Sequence, residues 1–135
     1  MGLTAGAGRA HIARATLESI AYQVTDLYGA MCADAGFTPA SLRVDGGASV
    51  SDILMQFQAD MLNLPIDRPA CTESTALGAA YFAGLGVGLW KSTDEIASHR
   101  QCQKLFSPQM EESRRAYLYG RWRQAVERAR DWAQH

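Results

Sequence analysis

The chain is short of the features that mark secreted, metal-clasping or nucleic-acid-binding proteins. It holds 3 cysteines, Cys32, Cys71 and Cys102, an odd number at wide spacings with no CxxC pair. That pattern offers no framework for disulfides or a structural zinc site and points to a reducing compartment, the cytoplasm. The 3 histidines, His11, His99 and His135, are scattered and read as solvated or locally hydrogen-bonded imidazoles rather than metal ligands. There is no excess of charge of either sign: 13 basic and 14 acidic side chains leave a net charge of −1, which argues against a nucleic-acid partner and against a polybasic membrane patch. Long hydrophobic runs are also absent. The most apolar stretch, Thr75 to Trp90, is too short and too glycine-rich for a membrane span, and Met1-Gly2-Leu3-Thr4 lacks the basic start and apolar run of a signal peptide.

Common catalytic signatures are missing as well. The sequence contains neither GxGxxG nor the P-loop pattern with its lysine, and no Ser/His/Asp or Cys/His arrangement is discernible. Paired carboxylates occur only as Asp94-Glu95 and Glu111-Glu112, both in helical settings where solvation accounts for them.

What remains is an ordinary globular composition, 47% apolar and 20% charged over 135 residues, enough to bury roughly two thirds of the unfolded surface in one core. After an irregular, glycine-bearing lead-in, Leu17, Ile20, Val24, Leu27 and Met31 recur at helical spacing and predict a helix with that stripe inward. Gly36 stops it, with Pro39 just beyond. Ser41 to Asp45 predicts a short strand with Leu42 and Val44 on one face and Arg43 on the other. Ser49 or Ser51 can cap the next helix, which carries Ile53, Leu54, Phe57, Met61 and Leu62 on one side and closes at Asn63. Pro65 to Pro69 is a second strand, edged by prolines. Thr75 to Gly88 is a third helix whose small residues permit close approach. Ser92 caps a short helix, Lys104 to Phe106 is a third strand, and a long final helix after Pro108 runs to about Trp132. Its expected buried stripe is Leu118, Trp122, Ala125, Ala129 and Trp132. Alternation of this kind predicts an α/β fold with parallel strands. Two or three strands make a narrow sheet, so further strands are expected outside this segment.

The informative unit is Val44-Asp45-Gly46-Gly47-Ala48-Ser49, which joins a strand directly to a capped helix. Two glycines there allow a tight turn and leave no Cβ over the surface, so a ring or sugar could lie on the bare main chain. The helix that follows offers free N–H groups and a partial positive end to an anionic ligand. Such chemistry suits a nucleotide, although a Gly-Gly turn in this position is also a common structural device. Asp45 reads as an acceptor for backbone donors at the strand end rather than as a general base.

Beyond these local signals the sequence resembles the C-terminal region of the glycerol kinases, members of the FGGY carbohydrate kinases with the actin-like ATPase fold. The resemblance covers nearly the whole chain. It is carried by Gly2-Leu3-Thr4, Arg9-Ala10-His11-Ile12, Leu17-Glu18-Ser19-Ile20-Ala21-Tyr22-Gln23, Leu42 to Ala48, Leu54-Met55-Gln56-Phe57-Gln58-Ala59-Asp60 and Thr75-Ala76-Leu77-Gly78-Ala79-Ala80-Tyr81. Phe106, Pro108, Tyr119 and Trp122 also fit. The Asp-Gly-Gly turn and the Ala-Leu-Gly-Ala-Ala helix belong to FGGY kinases at large. The Met-Gln-Phe-Gln-Ala-Asp and Arg-Ala-His-Ile runs are more particular to glycerol kinases.

The resemblance implies an α/β fold, part of an actin-like ATPase (ribonuclease H-like) domain, helix-rich with a short, mostly parallel sheet. Residues 1–135 would form a single partial domain, the C-terminal nucleotide-binding domain, incomplete at its N-terminal side. It implies ATP or ADP with Mg²⁺ as the ligand, the metal not being held by this chain. The nucleotide contacts carry over to Gly46, Gly47 and Ser51. Family members commonly have asparagine where Ser51 stands, and the shorter serine leaves a direct contact there open. The catalytic aspartate and the glycerol pocket lie upstream of the matched region, so no catalytic residue is assigned here and glycerol is met only through the N-terminal part. The implied reaction is transfer of the γ-phosphoryl group of ATP to glycerol. A nucleotide-binding or dimerisation module of a xylulose, ribulose or gluconate kinase is the alternative. An open sheet edge would also favour a homo-oligomer.

Overall fold

The computed structural model describes residues 2–130; Met1, Trp132 and His135 lie outside the described residues. The elements in order are α1 (Arg9–Ala35), β1 (Leu42–Arg43), a single 3₁₀ turn (Gly47–Val50), α2 (Asp52–Leu62), β2 (Ile66–Pro69), α3 (Ser74–Gly86), α4 (Thr93–Ser98), β3 (Cys102–Phe106) and α5 (Glu112–Ala129).

Local chemistry sets most of these boundaries. Gly36 closes α1, its N–H donating to the Cys32 carbonyl at 3.0 Å. Asn63 turns α2 off in the left-handed conformation that asparagine tolerates. Ser92 caps α4 by accepting from the Glu95 N–H at 3.2 Å, while the Glu95 carboxylate accepts from the Lys91 N–H at 2.7 Å.

The sheet has three strands in the order β1-β2-β3. β1 and β2 are parallel, with Leu42 opposite Ile66 and Arg43 opposite Asp67. The Val44 N–H donates to the Asp67 carbonyl at 3.2 Å and extends the pairing by one residue. β3 departs from the expected parallel order. It runs antiparallel to β2, pairing Ile66 with Phe106 and Asp67 with Leu105. The segment carrying α3 and α4 leaves β2 at Pro69 and returns at Cys102, which pairs with it, so the chain re-enters the sheet at the end it left and no crossover is made. β1 has no partner on its outer side among the described residues.

The core is built around α2, which lies between α1 and the sheet. Leu54, Met55, Phe57, Ala59 and Met61 are buried there together with Ala21, Leu64, Ile66 and Phe106. Ala21 is fully buried, and its small side chain lets α1 approach α2 closely. Tyr22 meets Phe57 edge-on at 5.5 Å and stacks on Trp122 of α5 at 5.3 Å, tying three helices together.

The apolar stripes read from periodicity are only partly the buried ones. Leu27 and Met31 of α1 and Ile53 of α2 are exposed. On α5, Leu118, Trp122 and Ala125 are half-buried while Ala129 is exposed. Helix α3 is apolar on every side, yet only Gly84 is buried. A Cβ at Gly84 would fall 2.0 Å from the Trp90 ring, so the absence of a side chain is what allows the indole to fold back over the helix. A helix that is apolar all round belongs in an interior, but Phe82 is 77% and Val87 83% exposed.

Candidate functional site

The turn after β1 has the geometry that its sequence demands. Gly46 sits at φ 76°, ψ 173°, a region that is essentially closed to residues with a Cβ. Its N–H donates to the Thr72 carbonyl at 2.8 Å, which ties the turn to the segment leaving β2. Its carbonyl accepts from both the N–H and the hydroxyl of Ser49, at 3.1 and 2.7 Å. Ser49 is buried by this double contact. Of the two serines that could cap α2, Ser51 does so, accepting from the Leu54 N–H at 3.4 Å. Capping uses an oxygen lone pair, so the Ser51 hydroxyl proton stays available to an acceptor.

Above the turn the main chain is bare. A Cβ at Gly46 or Gly47 would meet no atom within 4 Å. The turn stands at the carboxyl end of β1, where open α/β sheets bind their ligands. Beside it a cleft of about 620 Å³ opens beyond the carboxyl ends of β1 and β2. Val44, Asp45, Cys71, Leu77, Tyr81 and Arg100 contribute to its walls, and its size suits a mononucleotide. Gly46, Gly47 and Ser51 are not among the residues lining this cleft; Asp45 connects the turn to it. Among the described residues no backbone N–H donates to the Asp45 side chain, contrary to expectation; Asp45 is one of the residues lining the cleft.

Two charge clusters flank the turn. Asp52, in the first turn of α2, lies 2.6 Å from Lys104 Nζ and 2.9 Å from Arg68 Nη1. Hydrogen bonds from Lys104 and then Arg68 hold its carboxyl below the usual aspartate range. On the opposite sheet face, Arg100 lies 2.6 Å from Asp67. That hydrogen bond lowers the Asp67 carboxyl despite burial, and the same carboxylate raises the Cys102 thiol.

Arg68 has no place among the sequence-derived site residues. It is only 7% exposed. Its Nη1 donates to the Ser49 carbonyl and its Nε to Gln103 Oε1, both at 2.9 Å, and its guanidinium lies 5.1 Å from the centre of the Phe106 ring. The signal was the period of two along β2: Arg68 shares a face with the buried Ile66, and an arginine on an inward face needs partners.

The chain matches the C-terminal domain of the FGGY family of carbohydrate kinases over residues 1–87. It is 58% identical over 132 residues to a glycerol kinase of Deinococcus radiodurans, covering 98% of this chain and 26% of that protein. It is 56% identical over 134 residues to a glycerol kinase of Caldanaerobacter subterraneus subsp. tengcongensis, covering 99% and 27%. Among solved structures it superimposes on a Plasmodium falciparum glycerol kinase with ADP at a TM-score of 0.83 and 35% identity, covering all of this chain and 27% of that one. A ligand-bound xylulose kinase of Lactobacillus acidophilus aligns at a TM-score of 0.73 and 26% identity, over 96% of this chain and 27% of that one. The chain thus spans about a quarter of the length of these relatives.

Proposed function

Because the chain belongs to the FGGY family of carbohydrate kinases, we propose that it is the C-terminal nucleotide-binding part of an ATP-dependent glycerol kinase. In that protein it would help transfer the γ-phosphoryl group of ATP to glycerol, giving glycerol 3-phosphate. The observation that carries the reading is the open, side-chain-free main chain at Gly46 and Gly47, in a chain whose fold is that of a glycerol kinase with ADP. The two glycines would lie against the adenosine part of the nucleotide, and the Ser51 hydroxyl would donate to it directly or through water. The higher identity to glycerol kinases than to the xylulose kinase favours glycerol over a sugar as the parent substrate.

Magnesium would enter with the phosphates. In this reading none of the ion's ligands comes from residues 1–135. The three cysteines are unpaired, which suits the reducing cytoplasm. Residues 1–135 would constitute one partial domain. The unpaired side of β1 and the exposed apolar surface of α3 are the faces that the remainder of the kinase would cover, and through which the chain by itself would associate with a second copy.

The test is a titration of the isotopically labelled chain with MgADP, followed by amide shifts, alongside a coupled assay with ATP and glycerol. The expected result is perturbation of Gly46, Gly47 and Ser51 with a dissociation constant of about 1 mM or weaker, and no glycerol-dependent turnover. Shifts confined to other residues, micromolar affinity or sustained turnover would each overturn the half-site reading.

A further inference from the structure

We propose that Arg68 is a positioning residue for the nucleotide turn: from β2 it grips the Ser49 carbonyl and the Asp52 carboxylate, fixing the 3₁₀ segment and the start of α2 behind Gly46-Gly47. The inference rests on the reading of that turn as a nucleotide half-site. A glycine pair supplies a bare surface but no rigidity, since glycine is the residue with the most backbone freedom to lose. Something else must hold the turn if it is to meet a ligand in one conformation.

The turn's own bonds, from Ser49 and Ser51 back to Gly46 and Ala48, run between 2.7 and 3.3 Å and span only three residues each. The Gly46 N–H bond to the Thr72 carbonyl anchors the start of the turn; Arg68 links the residues after it to the sheet. It reaches the Ser49 carbonyl across 19 residues of chain, and Gln103 on β3 braces its Nε. Packing against Phe106 removes the guanidinium from solvent, so its hydrogen bonds act in a low-dielectric setting. A planar fork with donors in fixed directions can hold carbonyl, carboxylate and amide together, which a lysine cannot.

Arg68 also settles an electrostatic conflict. Asp52 places a negative charge in the first turn of α2, where it favours the helix but opposes an anionic ligand at the same N-terminus. Arg68 and Lys104 both bind that carboxylate, leaving the local set of three groups at a net charge of +1. The helix start beside the turn therefore carries no unneutralised negative charge to repel a nucleotide, without losing its own acidic residue.

The experiment compares Arg68→Met, Arg68→Lys and Asp52→Asn with the unaltered chain. Asp26→Ala, which loosens the contact of α5 with α1 through Tyr119 and Trp122 and removes no bond of the turn, is the control for simple loss of stability. Two quantities are read: hydrogen exchange at the Ser49 and Ser51 amides, and MgADP affinity by amide-shift titration. Arg68→Met is expected to speed exchange at both amides by about tenfold and to weaken MgADP by a similar factor, the loss of one charge-assisted contact. Arg68→Lys and Asp52→Asn should move both readouts in the same direction but less, and Asp26→Ala should leave both unchanged. If Arg68→Met does not fold, the other two variants decide. Unchanged exchange at Ser49 and Ser51 in folded Arg68 variants would overturn the proposal, as would equal effects from Asp26→Ala. Should the unaltered chain show no MgADP shifts at the glycines, the half-site reading fails, while the exchange data still decide whether Arg68 holds the turn.

Discussion

The carboxylate of Asp26 on α1 accepts the indole N–H of Trp122 on α5 at 2.7 Å, a contact made across 96 residues of chain. Its other oxygen accepts the Tyr119 hydroxyl, so one aspartate clamps two aromatics of the final helix. The stacked pair Tyr22–Trp122 lies alongside. Helix α5 has no fully buried residue among those described, so this clamp carries a large share of its docking.

Replacing Asp26 with alanine should therefore loosen α5 while leaving the α2 core intact. The clamp is partly exposed, and two hydrogen bonds to a screened carboxylate stabilise by about 1 to 2 kcal/mol. The expected outcome is a lower denaturant midpoint with a reduced near-ultraviolet tryptophan signal and unchanged far-ultraviolet helix content. The clamp also has an alkaline limit. The hydrogen bond to Asp26, then burial, raises the Tyr119 phenol, so its stabilisation is complete below the ordinary phenol value and is lost as pH rises through the raised one. A Tyr119→Phe variant should flatten that alkaline loss.

The two glycines of the turn should separate stability from binding. At Gly46 any side chain must adopt φ 76°, ψ 173°, at a cost of about 1 to 3 kcal/mol. Gly47 is followed by open space and lies within the 3₁₀ turn, so Gly47→Val should change the melting temperature little. It would nevertheless place a branched side chain on the surface that the nucleotide is proposed to cover. The expected pattern is a destabilised Gly46→Val, and a Gly47→Val of near-normal stability whose MgADP shifts are abolished. A Gly47→Val chain that binds MgADP normally would mean that the ligand lies elsewhere, the cleft beside Asp45 being the next place to look.

The parts legible in the sequence were those fixed by neighbours along the chain. Gly36, Asn63, Ser51 and Ser92 each end or begin a helix through bonds spanning three or four residues, and their side chains announce it. The Gly-Gly turn was legible for the same reason. What covers an apolar stripe was not legible: Leu27, Met31 and Ile53 keep helical spacing whether or not another element packs on them, and among the described residues all three are exposed. The antiparallel direction of β3 depends on the α3–α4 segment returning to the end of the sheet it left, which the residues Lys104 to Phe106 do not encode. Arg68 was not legible either, because a lone arginine in a four-residue strand has the pattern of a solvated one, and its partners lie on the 3₁₀ turn and β3.

The Asp67–Arg100 pair should make the chain acid-sensitive. Both groups are mostly buried, and the bond from Arg100 depresses the Asp67 carboxyl. A depressed carboxyl contributes stability that is present above its unfolded value and lost as pH falls through the folded one. Unfolding midpoints measured from pH 7 downward should fall below the ordinary aspartate range, and Arg100→Gln should reduce the slope. Since the same carboxylate raises the Cys102 thiol, Asp67→Asn should speed alkylation of Cys102, because the thiolate is the reactive form. Peptide mapping after timed alkylation would read that rate directly.

Helix α3 sets the last expectation. Its residues are apolar on every side, and Phe82 is 77% exposed, as are Val87 and Leu89 just after the helix to a similar degree. Exposed apolar side chains of this kind mark a contact surface, and among the described residues the outer side of β1 offers unpaired backbone groups as well. The chain by itself should therefore show concentration-dependent self-association, read as a rising weight-average mass in light scattering. Phe82→Lys removes apolar area at a position with little burial to lose, so it should lower association without lowering the melting temperature. If mass stays monomeric across the concentration range, or if Phe82→Lys changes nothing, the exposed face of α3 is not what the chain uses to associate.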